Sequence, residues 1–144
     1  MSDQHIDKPV IGITIGDYNG IGPEVILKAL EGNQLTKICT PVIYGSLRVL
    51  NHYRNLFEMK DWTLHGIPKV EQVNHKLTNV ITCWQDHQTE PEPGKVTAEA
   101  GQGSFASLQR AVEDLKEGKI QALVTGPINK DNIQSEEFQF PGHT

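Results

Sequence analysis

The sequence is poor in cysteine, in clustered basic residues and in long apolar runs. Its two cysteines, Cys39 and Cys83, stand in no CxxC or metal-ligand spacing, so we predict reduced thiols that serve packing. With 13 Lys and Arg against 18 Asp and Glu, and no basic cluster, it lacks the electrostatic footprint of a nucleic-acid-binding protein. No apolar run approaches the roughly 18 residues of a membrane span, and no signal-peptide pattern precedes Val10. We therefore expect a cytoplasmic protein with neither nucleic-acid nor membrane partners.

Three common site signatures are also absent. The glycines at 16, 20 and 22 do not fit the GxGxxG dinucleotide fingerprint, and no Gly-Lys-Ser/Thr follows them as in a P-loop. There is no HExxH zinc motif. Five of the six histidines share no spacing, and we interpret them as surface or half-buried residues: His5, His52, His65, His75 and His87.

Apolar runs alternate with helical patterns along the chain, which is long enough for one domain. β-branched runs predict strands at 10–15, 41–45, 80–84 and 120–125. Helices are predicted from Pro23, after an N-cap at Ser46, and over 96–117. The last helix is expected to carry four apolar residues on one face: Phe105, Leu108, Val112 and Leu115. The alternation predicts a largely parallel α/β sheet covered on both faces.

A glycine-rich loop at 16–24 follows the first predicted strand and opens a helix. Ligands of open α/β sheets bind outside the carboxyl ends of the strands, where helix N-termini present free N–H groups. Asp17, Gly20 and Gly22 are therefore candidate residues near a site. The loop is either a floor of backbone amides with Asp17 facing a ligand, or simply a tight strand-to-helix turn.

A second loop at 125–130 follows the last predicted strand. Thr125, Asn129 and Lys130 would place a hydroxyl, an amide and an ammonium in one crevice, a set suited to a phosphorylated substrate. Alternatively, Pro127 and Asn129 shape the turn and Lys130 is solvated.

The chain closes on a third polar segment, Pro-Gly-His-Thr at 141–144. We interpret His143 and Thr144 as the first half of an active site whose other half is missing. No residue of the chain is assigned as catalytic.

Three segments in this order, ITIGDYNGIGPE (13–24), ALVTGPINK (122–130) and FPGHT (140–144), resemble the 4-hydroxythreonine-4-phosphate dehydrogenases of pyridoxal phosphate biosynthesis. The resemblance extends through AGQGSFASLQRAVEDL (100–115) and covers nearly the whole chain, although 50–95 match loosely. One departure is Tyr18-Asn19, where the family more often has Pro-Ala. This pair alters the lining of the loop.

The resemblance implies an isocitrate/isopropylmalate dehydrogenase-like three-layer α/β/α fold, of which residues 1–144 form an N-terminal portion without the second domain or the C-terminal segment. It further implies a homodimer, NAD or NADP as hydride acceptor, and a divalent metal (Zn, Mg or Co) held by histidines outside this chain. The substrate would be 4-phosphooxy-L-threonine, oxidised at its C3 hydroxyl and then decarboxylated to 3-amino-2-oxopropyl phosphate. His143 and Thr144 match the family's substrate-binding residues. Residues 1–144 alone are expected to be inactive.

Two other readings stay open. A paralogous branch oxidises four-carbon sugar-acid phosphates such as D-erythronate or threonate 4-phosphate. From another class, the fold is shared in part by phosphate acyltransferases, and a non-catalytic phosphate-binding module also fits. Three well-separated histidines encoded beyond Thr144 would favour the metal-dependent dehydrogenase.

Overall fold

The computed structural model describes residues 8–128, in which a five-stranded sheet lies between two layers of helices. The strands are β1 (Val10–Thr14), β2 (Thr40–Gly45), β3 (His65–Gly66), β4 (Asn79–Thr82) and β5 (Ala122–Thr125). The α-helices are α1 (Gly22–Leu30), α2 (Leu47–Leu56) and α3 (Ala98–Lys116), and short 3-10 helices occupy Glu31–Lys37 and Val70–Gln72. Every strand pairing among these residues is parallel, which confirms the predicted α/β class.

The strand order is β3-β4-β2-β1-β5. From β1 the chain passes to β2 and then to the edge strand β3, and β4 enters between those two. The chain then crosses the sheet so that β5 pairs with the other side of β1. The strand order reverses between the neighbouring strands β1 and β5. In open α/β sheets, a reversal of this kind creates a crevice at the carboxyl ends of the two strands. The two loops singled out from the sequence follow β1 and β5 and therefore lie at this position.

Side chains of β2 alternate between two hydrophobic cores, one on each face of the sheet. Ile43 packs in a core with residues of α1 and α2, including Leu27 and Leu50. Val42 and Tyr44 point the other way, into a core that includes Ala111 of α3. This alternation, with a period of two residues, produces the three layers of the fold.

Helix α3 begins at an N-cap, Thr97, whose hydroxyl accepts a hydrogen bond from Ala100 N at 3.1 Å. The face it buries is made of small or polar residues: Ala100, Gly101, Gly103, Ser104, Ser107, Ala111 and Asp114. The predicted apolar stripe, Phe105 to Leu115, is not that buried face, because Leu115 is 38% exposed and the other three are only partly buried. Tyr44 and Ile120 share a core with Ala111 of this face, and an added Cβ at Gly103 would lie 3.0 Å from the Trp84 ring, so large side chains pack against the small residues of α3.

Among residues 8–128, no helix is both long enough and apolar enough to cross a membrane.

Candidate functional site

The glycine loop after β1 and the turn after β5 are joined through their backbones. Asp17 N donates to the carbonyl of Pro127 at 2.8 Å. Gly126 N donates to the carbonyl of Thr14 at 3.0 Å and lies 3.1 Å from the hydroxyl of the same threonine. The structure therefore places these two predicted loops in direct contact at the switch point of the sheet.

Two glycines permit this close approach. Gly16 has a φ of +74°, and a Cβ added there would lie 2.2 Å from the carbonyl oxygen of Pro127. At Gly22, the first residue of α1, an added Cβ would lie 2.6 Å from Ile15 O. No side chain fits at either place, so only glycine permits this close packing of backbone on backbone.

Asp17 is 8% exposed, and its Oδ1 accepts a hydrogen bond from Asn19 N at 2.9 Å. This contact is an Asx-type turn, in which the carboxylate shapes its own loop. Gly20 N closes the same turn on the carbonyl of Asp17 at 3.0 Å. The tight turn foreseen from the sequence is thus present, and a backbone floor that faces a ligand stays a prediction.

Asn19 fastens the glycine loop to the segment that precedes α3. Its carboxamide oxygen accepts from Glu92 N at 2.7 Å, and its carboxamide nitrogen donates to the hydroxyl of Thr97 at 3.3 Å. Its backbone carbonyl also accepts from Gly94 N at 2.8 Å. At 3% exposure, Asn19 is enclosed by the contacts it makes.

Tyr18 forms the second side-chain contact on this flank. Its ring stacks on that of Trp84, with centroids 5.8 Å apart and an interplanar angle of 23°. Its carbonyl accepts a hydrogen bond from the hydroxyl of Tyr53 at 2.7 Å. The glycine loop is therefore tied both to α2 and to the end of β4.

The structure places only part of the predicted residue set. Asp17, Gly20 and Gly22 lie in the loop described above, and Thr125 ends β5 in register with Thr14. Asn129, Lys130, His143 and Thr144 lie outside residues 8–128. For these four residues, substrate binding stays a prediction.

Sequence reasoning missed a cavity of about 620 Å³ beside the glycine loop. Tyr18, Trp84, Thr97 and Gly103 line it, together with residues of the 85–92 segment. The available signals were the unusual Tyr18-Asn19 pair, and Gly103 within an otherwise helical pattern. An added Cβ at Gly103 would lie 3.0 Å from the Trp84 ring, so this glycine admits the indole.

Burial determines the ionisation of several groups. Burial, reinforced by the carboxylates of Glu99, Asp17 and Glu92, raises the pKa of Tyr18. Burial also raises the pKa of Cys83 to about 12, so its thiol stays protonated near neutral pH. Both cysteines are free and half-buried.

Over 8–128 there is no group of three or more His, Cys, Asp or Glu side chains that could hold a metal ion.

Comparisons with known proteins agree on one group of enzymes. A family model described as pyridoxal phosphate biosynthetic protein PdxA matches residues 37–144. A 4-hydroxythreonine-4-phosphate dehydrogenase of Bacteroides thetaiotaomicron is 41% identical over 134 residues, which are 93% of this chain and 36% of that protein. A protein of Oceanobacillus iheyensis, provisionally named as a D-threonate 4-phosphate dehydrogenase, is 36% identical and matches 95% of this chain and 42% of its own length.

A solved structure shows the same relationship. The crystal structure of a 4-hydroxythreonine-4-phosphate dehydrogenase from Klebsiella pneumoniae superposes with a TM-score of 0.81 at 31% identity. The match covers 95% of this chain and 42% of that one. The chain thus spans 36% to 42% of the length of these relatives.

Proposed function

The chain belongs to the pyridoxal phosphate biosynthetic protein PdxA family, and from this we propose that it is the N-terminal portion of a 4-hydroxythreonine-4-phosphate dehydrogenase. The observation that carries the proposal is the contact between the glycine loop and the turn after β5. It lies at the sheet's switch point, where α/β enzymes bind their ligands. The proposed specificity is that of the Bacteroides thetaiotaomicron relative, which is 41% identical to this chain.

The proposed reaction begins with oxidation of 4-phosphooxy-L-threonine. A hydride passes from C3 to NAD or NADP, and the hydroxyl proton leaves to a base. The resulting 2-amino-3-oxo acid then loses its carboxylate as carbon dioxide, and a proton replaces it at C2. The product is 3-amino-2-oxopropyl phosphate. In this account the enzyme is a homodimer.

The residues of this chain would bind and orient the substrate. Gly16 and Gly22 allow the glycine loop to pack closely against neighbouring backbone, and we propose that the two joined loops form the floor of the crevice. Thr125, Asn129 and Lys130 would contribute polar groups on the β5 side, with His143 and Thr144 contacting the substrate. A divalent metal, bound by residues outside this chain, would lower the pKa of the substrate hydroxyl and polarise the forming carbonyl.

A second candidate is a dehydrogenase for D-threonate or D-erythronate 4-phosphate. The Oceanobacillus iheyensis relative favours it, since its identity of 36% is only modestly below the 41% of the first relative. The two substrate types differ at C2, where one carries an amino group and the other a hydroxyl.

The test is turnover by the full-length gene product. We expect reduced nicotinamide to form with 4-phosphooxy-L-threonine and a divalent ion, accompanied by carbon dioxide release. A higher kcat/KM for D-threonate 4-phosphate would favour the second candidate instead. Failure to turn over either compound, with NAD or NADP and each metal tried, would overturn the dehydrogenase proposal.

Two variants test the residues outside 8–128. His143→Ala should lower kcat/KM by more than about tenfold, because a histidine in the crevice can hydrogen-bond the substrate. Lys130→Met should weaken substrate binding and leave the melting temperature nearly unchanged. Wild-type kinetics in either variant would remove that residue from the site. Residues 1–144 alone, tested in parallel, should show no turnover.

A further inference from the structure

Asn19 holds the glycine loop on its α3 side with a buried side chain. Both polar ends of its carboxamide contact the segment that precedes α3. The oxygen accepts from Glu92 N at 2.7 Å, and the nitrogen donates to the Thr97 hydroxyl at 3.3 Å. Because the side chain is enclosed by these contacts, Asn19 can act on a bound molecule only through the loop that it holds.

The segment that Asn19 contacts is otherwise weakly anchored. Residues 92–96 are all exposed, so they bury little apolar surface. Just before them, Arg48 pairs with Glu90 at 2.8 Å between two exposed side chains, where water screens a salt bridge and leaves it weak. The carboxamide of the buried Asn19 is thus a stronger anchor for this segment than the exposed ion pair.

The glycine loop is thereby held on two sides by one continuous unit of the fold. Asp17, two residues before Asn19, donates its N–H to Pro127 O at 2.8 Å in the turn after β5. Helix α3 leads into β5, so Thr97 and Pro127 lie at the beginning and the end of the same α3–β5 unit. Two attachments fix an orientation that a single hydrogen bond would leave free. The position of the loop at the switch point therefore depends on Asn19 as well as on the β5 turn.

We propose that Asn19 is a positioning residue for the dehydrogenase: its carboxamide holds the glycine loop where the backbone of the two joined loops contacts the phosphorylated substrate. The inference rests on the proposed function, in which these loops form the floor of the crevice. Loss of the carboxamide would leave the fold in place, because the Tyr53 hydroxyl still donates to Tyr18 O and Gly94 N still donates to Asn19 O. The loop would move, and contacts shared by the bound substrate and the transition state would weaken. Such a loss raises KM and leaves kcat unchanged.

Steady-state kinetics of the full-length protein test the inference, with whichever of 4-phosphooxy-L-threonine and D-threonate 4-phosphate the wild type uses better. We expect Asn19→Ala to raise KM by about fivefold, the equivalent of one net hydrogen bond, and to change kcat per folded enzyme by less than about twofold. Destabilisation alone has a different signature. It lowers the concentration of folded enzyme, and hence the apparent kcat, but leaves KM as it was. KM can therefore be measured even when part of the variant is unfolded.

Asn33→Ala is the matched control. The Asn33 carboxamide oxygen accepts from Thr78 N and from the Thr78 hydroxyl, both at 2.9 Å, so this variant also loses an asparagine that binds a distant backbone N–H. Its φ of +59° adds strain for alanine. Thr78 directly precedes β4, at the amino end of the parallel sheet and therefore opposite the crevice. The control should lose stability and keep the KM of the wild type.

The two variants together decide the inference. A raised KM in Asn19→Ala, beside a wild-type KM in Asn33→Ala, supports it. If Asn19→Ala keeps the wild-type KM, or if both variants raise KM equally, Asn19 does not position the loop, and the dehydrogenase proposal is unaffected. A wild-type protein that turns over neither phosphorylated compound would overturn the proposed function and this inference with it.

Discussion

The two flanks of the glycine loop are held in different ways. Toward β5, the contacts join backbone to backbone, with Asp17 N on Pro127 O, and Gly16 leaves no space for a side chain. Toward α3, the side chains of Tyr18 and Asn19 make most of the contacts, beside one backbone bond from Gly94 N to Asn19 O. The β5 flank thus depends mainly on backbone contacts that glycine permits, whereas the α3 flank depends mainly on the side chains of two residues.

The largest effect is expected from Gly16→Ala on the β5 flank. The new Cβ would lie 2.2 Å from a backbone oxygen at a φ of +74°, so both sterics and backbone strain oppose it. The free energy of unfolding should fall by about 3 kcal/mol or more, as measured by urea denaturation. Gly20→Ala is the matched control, because its nearest neighbour atom is 3.4 Å away. Equal losses in the two variants would contradict a backbone-fixed flank.

Asn19→Ala should have the next largest effect, on the α3 flank. It removes the bonds to Glu92 N and Thr97 and leaves the part-buried Glu92 N–H without its acceptor, at a cost of about 1 to 3 kcal/mol. Hydrogen exchange should accelerate in the 85–97 segment and stay unchanged in β5. Asn55→Ala, at an exposed position of α2, is the control and should shift stability by less than about 1 kcal/mol. Unchanged exchange in the 85–97 segment would show that Asn19 does not hold it.

Tyr53→Phe is expected to cost less, about 1 kcal/mol, because one hydrogen bond of 2.7 Å to Tyr18 O is lost and the ring packing remains. The denaturation midpoint of the single variant measures this. Combined with Asn19→Ala, the losses should be non-additive, since both residues hold the same loop. Strict additivity would mean that the two contacts act independently.

The smallest effect concerns alkaline pH. Burial and the nearby carboxylates raise the pKa of Tyr18 in the folded protein above that of the unfolded chain. Stability contributed by this group is complete below the ordinary tyrosine pKa of about 10 and falls as pH rises past it, since the unfolded chain loses its proton first. The free energy of unfolding of wild type should therefore decline more steeply than that of Tyr18→Phe between about pH 9 and about pH 11. If the free energy of unfolding fell equally steeply in both proteins, the pKa of Tyr18 would not be raised by folding.

Local chemistry made much of the fold predictable. Ser46 was expected to cap α2, and its hydroxyl accepts from Val49 N at 3.0 Å. The β-branched run of β1 and the helix of α3 were predicted to within two residues of their observed ends. In each case the signal lies within the segment, as a capping side chain or a repeating pattern.

The unpredicted features depend on residues distant in sequence. β3, His65–Gly66, is too short for any periodicity. The buried face of α3 contacts residues distant in sequence, since the hydroxyl of Tyr44 donates to Asp114 at 2.7 Å across 70 positions. The bond between Asn19 and Glu92 spans 73 positions, so local patterns could not reveal the cavity wall it supports.

Hydrogen exchange in the full-length protein, with and without 4-phosphooxy-L-threonine, tests most directly whether the two joined loops form the substrate floor. We expect substrate to slow exchange in both 13–24 and 122–130, because backbone amides of the two loops would close on one ligand. The 65–75 segment, on the far edge of the sheet beyond β4, should be unchanged. Binding that protects neither loop would contradict the account.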